Sequence, residues 1–434
     1  MKLNNSKKFK IKARRLIPAQ TQTFSRSAIT FVEGVYPVYA KSAFGSHFTD
    51  VDGNKFLDYL MGLGPITLGY NYKKVNSAVI NQLKSGILFS LPHPIEIELT
   101  ELLCKTIPNT EMVKFEKSGS NAVTGAVRAA RAITKKNKIA YCGSGGVWHD
   151  WYAASISRND GVPSFNKKLI KIFDYNDPDG LEQIFDDNKN EISSIVFEPS
   201  VYELPKKDFL KKIRKITDKN NAILILDEVV TGFRFDIGGG QKFFDIKGDL
   251  ICFGKGMGNG LPISAITGKS EFMKIFEKLW VSTTNGSETL SLAGTIATIT
   301  EMREKKTIQK CWNIGKKLFN GWNNIADSYN ISAKMFGYPI RMSLNCLDSN
   351  GQQSLELKAL ILQEMVKQGI FMSPGPSFIS YSHSLNDVEF TLNAFTNVCK
   401  FIQNKINDDN YDNFLEGSLP KTIYTHSIKP TKKR

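Results

Sequence analysis

The chain has 434 residues, enough for two or three domains and a full hydrophobic core, so small scaffolds held by disulfides or metals are excluded. Hydrophobic residues make up 41% and charged residues 23%, which is ordinary globular composition rather than that of a collagen, a coiled coil or a disordered chain. The formal net charge is +15.

The basic excess is concentrated at the two ends of the chain. Residues 1–32 hold eight lysines and arginines and no acid, and residues 421–434 hold five, again with no acid. Such segments suit nucleic acid, a membrane surface or an anionic substrate, or they are solvated ends. No run of aromatic residues alternates with these lysines to stack bases, so we do not expect a nucleic-acid partner.

Cysteine usage and hydropathy predict a cytoplasmic location. The six cysteines form no C-x-x-C pair and have no histidine cluster beside them, which argues against structural zinc and a disulfide framework. The charged N-terminus lacks the apolar stretch of a signal peptide. No uncharged apolar run reaches the roughly 18 residues of a membrane span.

The order of predicted elements indicates an α/β fold. Turn signals and alternating polarity predict short strands over 34–60, and apolar spacing predicts helices over 73–84 and 94–106. Further strands are predicted within 138–143, 193–200, 222–230, 249–254 and 263–268, and further helices over 121–133 and 207–219. Near-continuous apolar runs between helices are typical of parallel strands buried on both faces.

Three polar features follow predicted strands, at the carboxyl ends where open α/β sheets bind ligands. The first is Ser118-Gly119-Ser120-Asn121, between a strand and a helix. Its small residues would let backbone N–H groups approach an anion at the positive end of the helix. The same residues serve equally as an ordinary helix N-cap.

The second feature is Asp227-Glu228, which ends the apolar run ILIL. Two adjacent carboxylates at the end of a buried strand are costly unless they meet a cation or a hydrogen-bond donor. Asp227 therefore either meets a ligand, caps the next turn or pairs with Arg234.

The third feature is Lys255, directly after a buried strand in a run with glycine at 254, 256, 258 and 260. A desolvated amine titrates at lower pH and can form a Schiff base with a carbonyl. The alternatives are phosphate contact by a glycine loop, although the G-x-x-x-x-G-K-[ST] pattern is absent, and a solvated loop lysine.

Together, the three features supply what pyridoxal phosphate requires. The phosphate would bind at the 118–121 turn, and the aldehyde would react with Lys255. The carboxylate of Asp227 would keep the pyridine nitrogen protonated, so that the ring acts as an electron sink.

The run ILILDEVVTGFR (223–234) followed by DLICFGKGMGNGLPISAITG (249–268) resembles the class III aminotransferases, including their glutamate-1-semialdehyde aminomutase branch. The resemblance extends from about residue 31 to 402. It implies the fold type I of pyridoxal-phosphate enzymes, with a mostly parallel sheet in a large domain, a smaller α/β domain from both chain ends, and a homodimer with sites at the interface. The corresponding division is a basic N-terminal segment (1–30), the small domain (31–75 and 311–405), the large cofactor domain (76–310) and a basic tail (406–434).

The resemblance also assigns roles. Lys255 matches the lysine that holds the cofactor and shuttles a proton, and Asp227 matches the partner of the pyridine nitrogen. The other assigned cofactor contacts are Ser118, Gly119, Ser120 and Asn121 at the phosphate, Val229 under the ring, Glu198 near the cofactor, and Thr284 from the neighbouring subunit. Arg26 lies where the aminomutase branch has a substrate-carboxylate arginine, or is one more charge of a basic tail. His149, a structural residue or a pocket residue, is a candidate substrate contact.

Three positions depart from the family pattern. The family usually has Tyr-His-Gly before a segment like WHDW, with the tyrosine stacked on the cofactor ring. Gly145, Gly146 and Val147 stand there, so the stacking aromatic is lost unless Trp148 replaces it. Asn121 replaces a usual acid. Gly375 stands where the aminomutase branch carries a glutamate, which favours a transaminase.

We therefore predict an aminotransferase that moves an amino group between a small amine or amino acid and a carbonyl acceptor through a Schiff base on Lys255. Two alternatives stay open. One is an aminomutase that moves the amino group within a single molecule. The other is a cofactor-binding protein with reduced turnover, or one whose basic ends hold a polymer.

Overall fold

The computed structural model describes residues 1–143, 145–405, 410–421, 427 and 429–432, and the chain divides into two compact units. Unit 1 comprises Met1–Tyr72 and Gln309–Ile423, and unit 2 comprises Lys73–Ile308 and Tyr424–Arg434. The domain division expected from the sequence had its inner boundaries at 75 and 310. Part of the expected basic tail lies outside the described residues.

The helices and strands are numbered in chain order. The strands are β1 (Ala40–Phe44), β2 (His47–Asp50), β3 (Lys55–Asp58), β4 (Met112–Glu116), β5 (Lys138–Cys142), β6 (Ile170–Ile172), β7 (Ile192–Phe197), β8 (Ile223–Glu228), β9 (Leu250–Phe253), β10 (Ser264–Gly268), β11 (Ala333–Tyr338), β12 (Arg341–Cys346), β13 (Ile370–Phe371) and β14 (Pro376–Phe378). The helices are α1 (Asn4–Leu16), α2 (Lys73–Leu83), α3 (Ile95–Thr106), α4 (Gly119–Thr134), α5 (Asp150–Ala153), α6 (Asn166–Leu169), α7 (Pro178–Asp187), α8 (Phe209–Lys219), α9 (Gly240–Phe243), α10 (Ser270–Met273), α11 (Thr289–Glu304), α12 (Thr307–Ser328), α13 (Leu355–Lys367) and α14 (Leu385–Lys405).

Unit 2 is built on a seven-stranded sheet in the order β4-β10-β9-β8-β7-β5-β6. Strands β6, β5, β7, β8 and β9 pair in parallel, and β4 shares their direction because β10 is antiparallel to both β4 and β9. Every residue of β7, β9 and β10 is buried, as expected for strands covered on both faces. The predicted mostly parallel sheet is confirmed.

The direction of β10 is where the strand prediction was wrong. Its apolar run was expected to be parallel like its neighbours. A parallel connection needs a dozen or more residues, usually including a helix. Between Phe253 and Ser264 the chain forms only the short 3₁₀ turn Lys255–Gly258, so it turns back and pairs antiparallel.

Unit 1 joins the two parts of the chain through its strands. One sheet has the order β1-β2-β3-β13, and a second has the order β11-β12-β14. In the first, β3 pairs in parallel with β13, with Leu57 opposite Ile370. In the core, the Trp322 ring stacks 3.6 Å from the Phe395 ring, and its indole N–H donates to the Ala333 carbonyl at 3.0 Å.

Much of the basic N-terminal segment is the helix α1, which is attached to unit 1. The Asp52 carboxylate accepts the backbone N–H groups of Asn5 and Ser6 at 2.6 and 2.8 Å, which caps the positive end of the helix. The Phe9 ring lies 5.6 Å from the Tyr39 ring. Lys10 pairs with Glu33, whereas the remaining basic residues of the helix are exposed: Lys7, Lys8, Lys12, Arg14 and Arg15.

Two further findings concern the chain as a whole. All six cysteines are free thiols. Within the parts of the chain that the structure describes, no helix is long and apolar enough to cross a membrane.

We predict that His383 makes the stability of unit 1 depend on pH. Its ring is fully buried and stacks 4.9 Å from the Tyr59 ring, and its Nδ1 accepts the Ser380 N–H at 3.0 Å. Burial lowers the pKa of His383 from 6.5 to about 4. Because the unfolded chain binds this proton more readily, stability should decrease by about 3 kcal/mol as pH falls from about 6.5 to about 4.

Urea unfolding of the wild type and of His383→Gln across this pH range tests the prediction. The variant lacks the titrating ring. Between pH 6.5 and pH 4, its free energy of unfolding should therefore fall by about 3 kcal/mol less than that of the wild type. Equal pH dependence in the two proteins would contradict it.

Candidate active site

The candidate site residues of unit 2 follow strands that end at one edge of its sheet. Strands β4, β9, β8, β7 and β5 run in the same direction, so their carboxyl ends meet there. In the pairing of β8 with β9, Asp227 lies opposite Cys252. Lys255 comes three residues after Cys252. The acid and the amine therefore belong to the ends of adjacent strands, and neighbouring strands lie about 5 Å apart.

The 118–121 turn begins helix α4, two residues earlier than predicted. Ser118 is the N-cap, because its Oγ accepts the Asn121 N–H at 3.2 Å. Gly119, Ser120 and Asn121 form the first helical turn, where N–H groups without a helical partner lie. The Ser264 hydroxyl donates to the Ser118 carbonyl at 2.7 Å, which fixes the turn against β10.

Close contact between three segments brings the turn to the other strand ends. A β-carbon on Gly119 would lie 2.6 Å from Cγ1 of Val229, closer than such atoms approach. A β-carbon on Gly254 would lie 3.5 Å from the same Cγ1 and 3.8 Å from the Gly119 Cα. The helix N-terminus, the residue after Glu228 and the residue before Lys255 are therefore neighbours, and position 119 has room only for glycine.

Lys255 occupies an unusual backbone conformation. Its φ is +35°, in a region where a residue with a β-carbon is strained by about 1–3 kcal/mol. The side chain is half-buried and lies between the buried residues Gly254 and Gly256. A freely solvated loop lysine would be neither strained nor half-buried. Glycine would adopt this φ with less strain.

The two adjacent carboxylates have different surroundings. Glu228 is fully buried and accepts the Thr231 hydroxyl at 2.5 Å and the Gly240 N–H at 2.7 Å. Burial raises its pKa to about 7. Asp227 is half-buried, and its Oδ1 accepts the Val229 N–H at 3.1 Å. Glu228 therefore holds the following loop in place, while Asp227 is the less enclosed of the two carboxylates.

Tyr141, at the end of β5, is a buried residue of this edge that the sequence did not single out. Its hydroxyl accepts the Gly145 N–H at 2.9 Å. Burial raises its pKa well above the usual value, and the negative charges of Asp227 and Glu198 add to the effect, so both acids lie near this ring. Its position at the carboxyl end of a parallel strand was the available signal.

The segment with WHDW is bound to helix α4. The Thr124 hydroxyl lies 2.7 Å from Nδ1 of His149 and accepts the indole N–H of Trp151 at 2.9 Å. Burial lowers the pKa of His149, which favours its neutral form. Trp148 is 71% exposed and stacks on the His149 ring at 4.2 Å. His149 thus has the structural contacts that the sequence left open, and Thr124 is a contact that the sequence missed.

The remaining predicted residues are placed as follows. Glu198 is buried after β7, and its N–H donates to the Cys142 carbonyl at 3.0 Å, which joins the ends of β7 and β5. Thr284 is exposed in the turn before α11. Arg26 belongs to unit 1, where its guanidinium donates to the Gly62 carbonyl at 3.1 Å.

Comparison with known proteins defines the class. Residues 31–385 match the class-III aminotransferase family, so the chain belongs to that family. It is 33% identical over 388 residues to the glutamate-1-semialdehyde 2,1-aminomutase of Methanosphaera stadtmanae, covering 83% of this chain and 90% of the relative. It is 31% identical over 403 residues to the 3-aminobutyryl-CoA aminotransferase of Cloacimonas acidaminovorans, covering 91% and 96%.

A solved structure supports the fold. The FumI protein of Sphingopyxis sp. MTA144 superposes with a TM-score of 0.85 at 22% identity, covering 93% of this chain and 98% of that one. The chain is thus a pyridoxal-phosphate-dependent enzyme of fold type I. The predicted family, fold class and cofactor are confirmed.

The residues at the sheet edge fit this cofactor. A helix N-terminus whose first residue has no room for a β-carbon suits a phosphate approached by backbone N–H groups. The same cluster has the apolar Val229, a carboxylate at Asp227 and an amine at Lys255. The phosphate requires an anion site, the pyridine nitrogen requires an acid, and the aldehyde requires an amine. This cluster supplies all three.

We predict that Gly119→Ala lowers the free energy of unfolding by about 1–3 kcal/mol, because its β-carbon overlaps Val229. Urea unfolding of the cofactor-free protein measures this. Combining the change with Val229→Ala should remove most of the cost, since the smaller side chain leaves space. Gly375→Ala is the control, because its nearest atom would be 3.5 Å away, and it should change the free energy by less than about 0.5 kcal/mol. Strictly additive effects at 119 and 229 would contradict the assigned overlap.

Proposed function

We propose that the chain is an aminotransferase that moves an amino group between a small amine or amino acid and a carbonyl acceptor, with Lys255 as the catalytic amine. The placement of Lys255 carries this proposal. It is held at a strained φ of +35°, directly after β9 and beside the strand that ends in Asp227. Strained backbone conformations of this kind are typically retained at functional sites, where a particular side chain is required.

The cofactor roles follow from the contacts at the sheet edge. The 118–121 turn would hold the phosphate through the N–H groups of the first turn of α4, with Ser118 as its cap. Val229 would pack against the ring, and Asp227 would accept a hydrogen bond from the ring nitrogen. Glu198 would lie near the cofactor, while Thr284 would reach it from a second subunit. When bound, pyridoxal phosphate supplies an electron sink for the substrate's Cα.

The chain's own groups handle the proton and the charge. Lys255 Nζ would accept the proton from the substrate Cα and return it later, which requires an amine that is close to the site and partly desolvated. Asp227 would keep a positive charge on the ring nitrogen by remaining ionised. The backbone hydrogen bond from Val229 to Asp227 fixes the orientation of the carboxylate.

Two residues are proposed to contact the substrate. Arg26 would bind a substrate carboxylate through its planar guanidinium. Trp148 is proposed as an aromatic contact in place of the missing tyrosine, since its exposed ring is held against His149.

An aminomutase is the second candidate, and the name of the 33% identical relative favours it. Gly375 counts against it. Instead of a carboxylate, this position offers only backbone groups, and its carbonyl already accepts the Ser343 hydroxyl at 3.1 Å. We therefore place the transaminase first.

We also propose a homodimer. Large apolar side chains are exposed along one stretch of unit 2, at Ile80, Leu83, Ile87, Leu88, Phe89, Leu91 and Ile97. So many apolar groups in one short stretch are typical of an interface rather than of a solvated surface. A second copy of the chain would cover them, and a monomer in sedimentation equilibrium would rule this out.

A cytoplasmic location is proposed on the basis of the thiols. None of the six cysteines forms a disulfide, and five of them are buried, which suits a reducing compartment. Cell fractionation would test this.

We predict that Lys255→Ala abolishes covalent attachment of the cofactor. After the loaded wild type is reduced with borohydride, mass spectrometry should find the cofactor on the peptide that contains Lys255. The variant should lose this adduct and the visible absorbance of bound cofactor, while its circular dichroism stays unchanged. Lys278→Ala, which removes an exposed lysine, is the control and should keep both signals. An adduct on a different lysine would refute the assignment.

A screen of single substrates distinguishes the two candidate reactions. With an amine donor alone, a transaminase should release about one equivalent of carbonyl product per site and then stop until an acceptor is added. An aminomutase would continue to turn over one compound with no acceptor. Sustained turnover without an acceptor would therefore overturn the transaminase proposal.

A further inference from the structure

Unit 1 contains a cavity of about 600 Å³ whose lining includes none of the residues to which the proposed function gives a role. Its walls come from strands β1, β2 and β3, the turn 45–46, and residues 71–72, 310 and 381–382, all within unit 1. Volumes of roughly 300–1,000 Å³ are typical of sites for small molecules. The cavity therefore has the size of a binding site, and its side chains indicate which ligand it suits.

One face of the sheet β1-β2-β3 forms the floor of the cavity. Ser42, Thr49 and Lys55 lie opposite one another on the three strands, and Phe44 lies two residues from Ser42 on the same face. All four line the cavity, whereas the alternate residue Phe48 is buried on the other face. Because neighbouring strands are about 5 Å apart, this floor is about 10 Å wide.

Hydrogen bonds hold the other walls against the sheet. The Gly45 N–H donates to the Tyr70 carbonyl at 3.0 Å, and the Tyr70 N–H donates to the Gly45 carbonyl at 2.8 Å, directly before the lining residues 71–72. The Ser382 hydroxyl donates to the Leu68 carbonyl at 2.7 Å. The cavity is therefore preformed, and a ligand does not have to organise it.

The lining is positively charged. It contains His47, Lys55 and Lys310, and the described lining residues include no aspartate or glutamate. Burial lowers the pKa of His47, and the nearby charge of Lys55 adds to this while Asp387 opposes it, so the two lysines carry the charge at neutral pH. The Nζ of Lys310 lies 4.1 Å from the centre of the Tyr381 ring, and neither lysine forms an ion pair with a carboxylate in the described part of the chain. These cations are available to an anionic ligand.

The uncharged groups of the floor suit a planar ring and a polyhydroxy group. The Phe44 side chain is 73% exposed, so a flat ligand can stack on it. Ser42 and Thr49 occupy the floor positions that lead from Phe44 to Lys55. Their hydroxyls both donate and accept hydrogen bonds, as the hydroxyls of a sugar require.

We propose that this cavity binds a nucleoside phosphate, with its phosphate at Lys55 and Lys310 and its base against Phe44. Ammonium groups are common phosphate ligands, and an aromatic ring stacks on any of the bases. A simple anion would leave Phe44 without a contact, and an uncharged nucleoside would leave the lysines without a counter-charge. The inference goes beyond the proposed function, because it uses neither Lys255 nor the cofactor.

The test uses the full chain, loaded with cofactor, reduced with borohydride and dialysed, so that the anion site proposed at 118–121 is already filled. Isothermal titration with AMP, GMP, CMP and UMP in phosphate-free buffer should show one site per chain for at least one of the four. The corresponding nucleoside, which lacks the phosphate, and ribose 5-phosphate, which lacks the base, should bind at least tenfold more weakly. Equally tight binding of either compound, or of inorganic phosphate, would overturn the proposal, as would the absence of binding by all four nucleotides.

Variants locate the binding in the cavity. Lys55→Gln and Lys310→Gln should each weaken it at least fivefold, whereas Lys310→Arg keeps the charge and should stay within about threefold. Phe44→Ala should weaken it at least fivefold, because the base loses its stacking partner. The controls Phe390→Ala and Lys400→Gln change exposed residues of α14 outside the lining and should bind within twofold of the wild type. Binding that is unaffected by Lys310→Gln or by Phe44→Ala would overturn the proposal.

Two readouts on the same sample separate this result from the proposed function. Mass spectrometry reports the adduct on Lys255, and titration of the wild type and of Lys310→Gln reports the nucleotide site. An adduct without nucleotide binding contradicts only the cavity proposal, whereas binding that depends on Lys310 without an adduct contradicts only the aminotransferase proposal.

Discussion

The site of unit 2 depends on one close approach, in which the first residue of α4 packs against Val229 without a side chain between them. Because Gly254 contacts the same valine, one apolar side chain sets the distances among a helix N-terminus, a carboxylate and an amine. Each of these groups alone is common in proteins. Their combination requires strands that end together and a glycine where any other residue would separate them.

Burial also distinguishes the two neighbouring acids at the end of β8. Glu228 is enclosed, satisfied by Thr231 and Gly240, and has a pKa raised by burial. Its hydrogen bonds hold the loop after β8, and so the backbone of Val229, in position. Asp227 is only half-buried, and its Oδ1 accepts the Val229 N–H at 3.1 Å. The sequence alone cannot show which of the two acids is enclosed, because the alternation of side chains along a strand indicates only that they face opposite sides of the sheet.

Much of the sheet and the main site could be predicted, because apolar runs and strand-end polar residues are local signals. The direction of β10 could not be read from composition, since its run is as apolar as that of its parallel neighbours; only the short connection after Lys255 decides it. Thr124 and Ser264 escaped notice because their roles come from partners far along the chain. The cavity of unit 1 was hidden for the same reason, as Lys55 and Lys310 are far apart in sequence.

The pairing of β3 with β13 has a consequence for biosynthesis. Leu57 can pair with Ile370 only after Ile370 has been synthesised. The edge of β3 therefore stays unpaired while most of the polypeptide leaves the ribosome. Unit 2, by contrast, draws its entire sheet from residues 112–268 and can form earlier. Parallel pairing between such distant segments is slow, and an uncovered strand edge invites association with other nascent chains. Truncation from the carboxyl end should therefore leave an aggregating fragment, even though the sheet-edge residues proposed to bind the cofactor are all present.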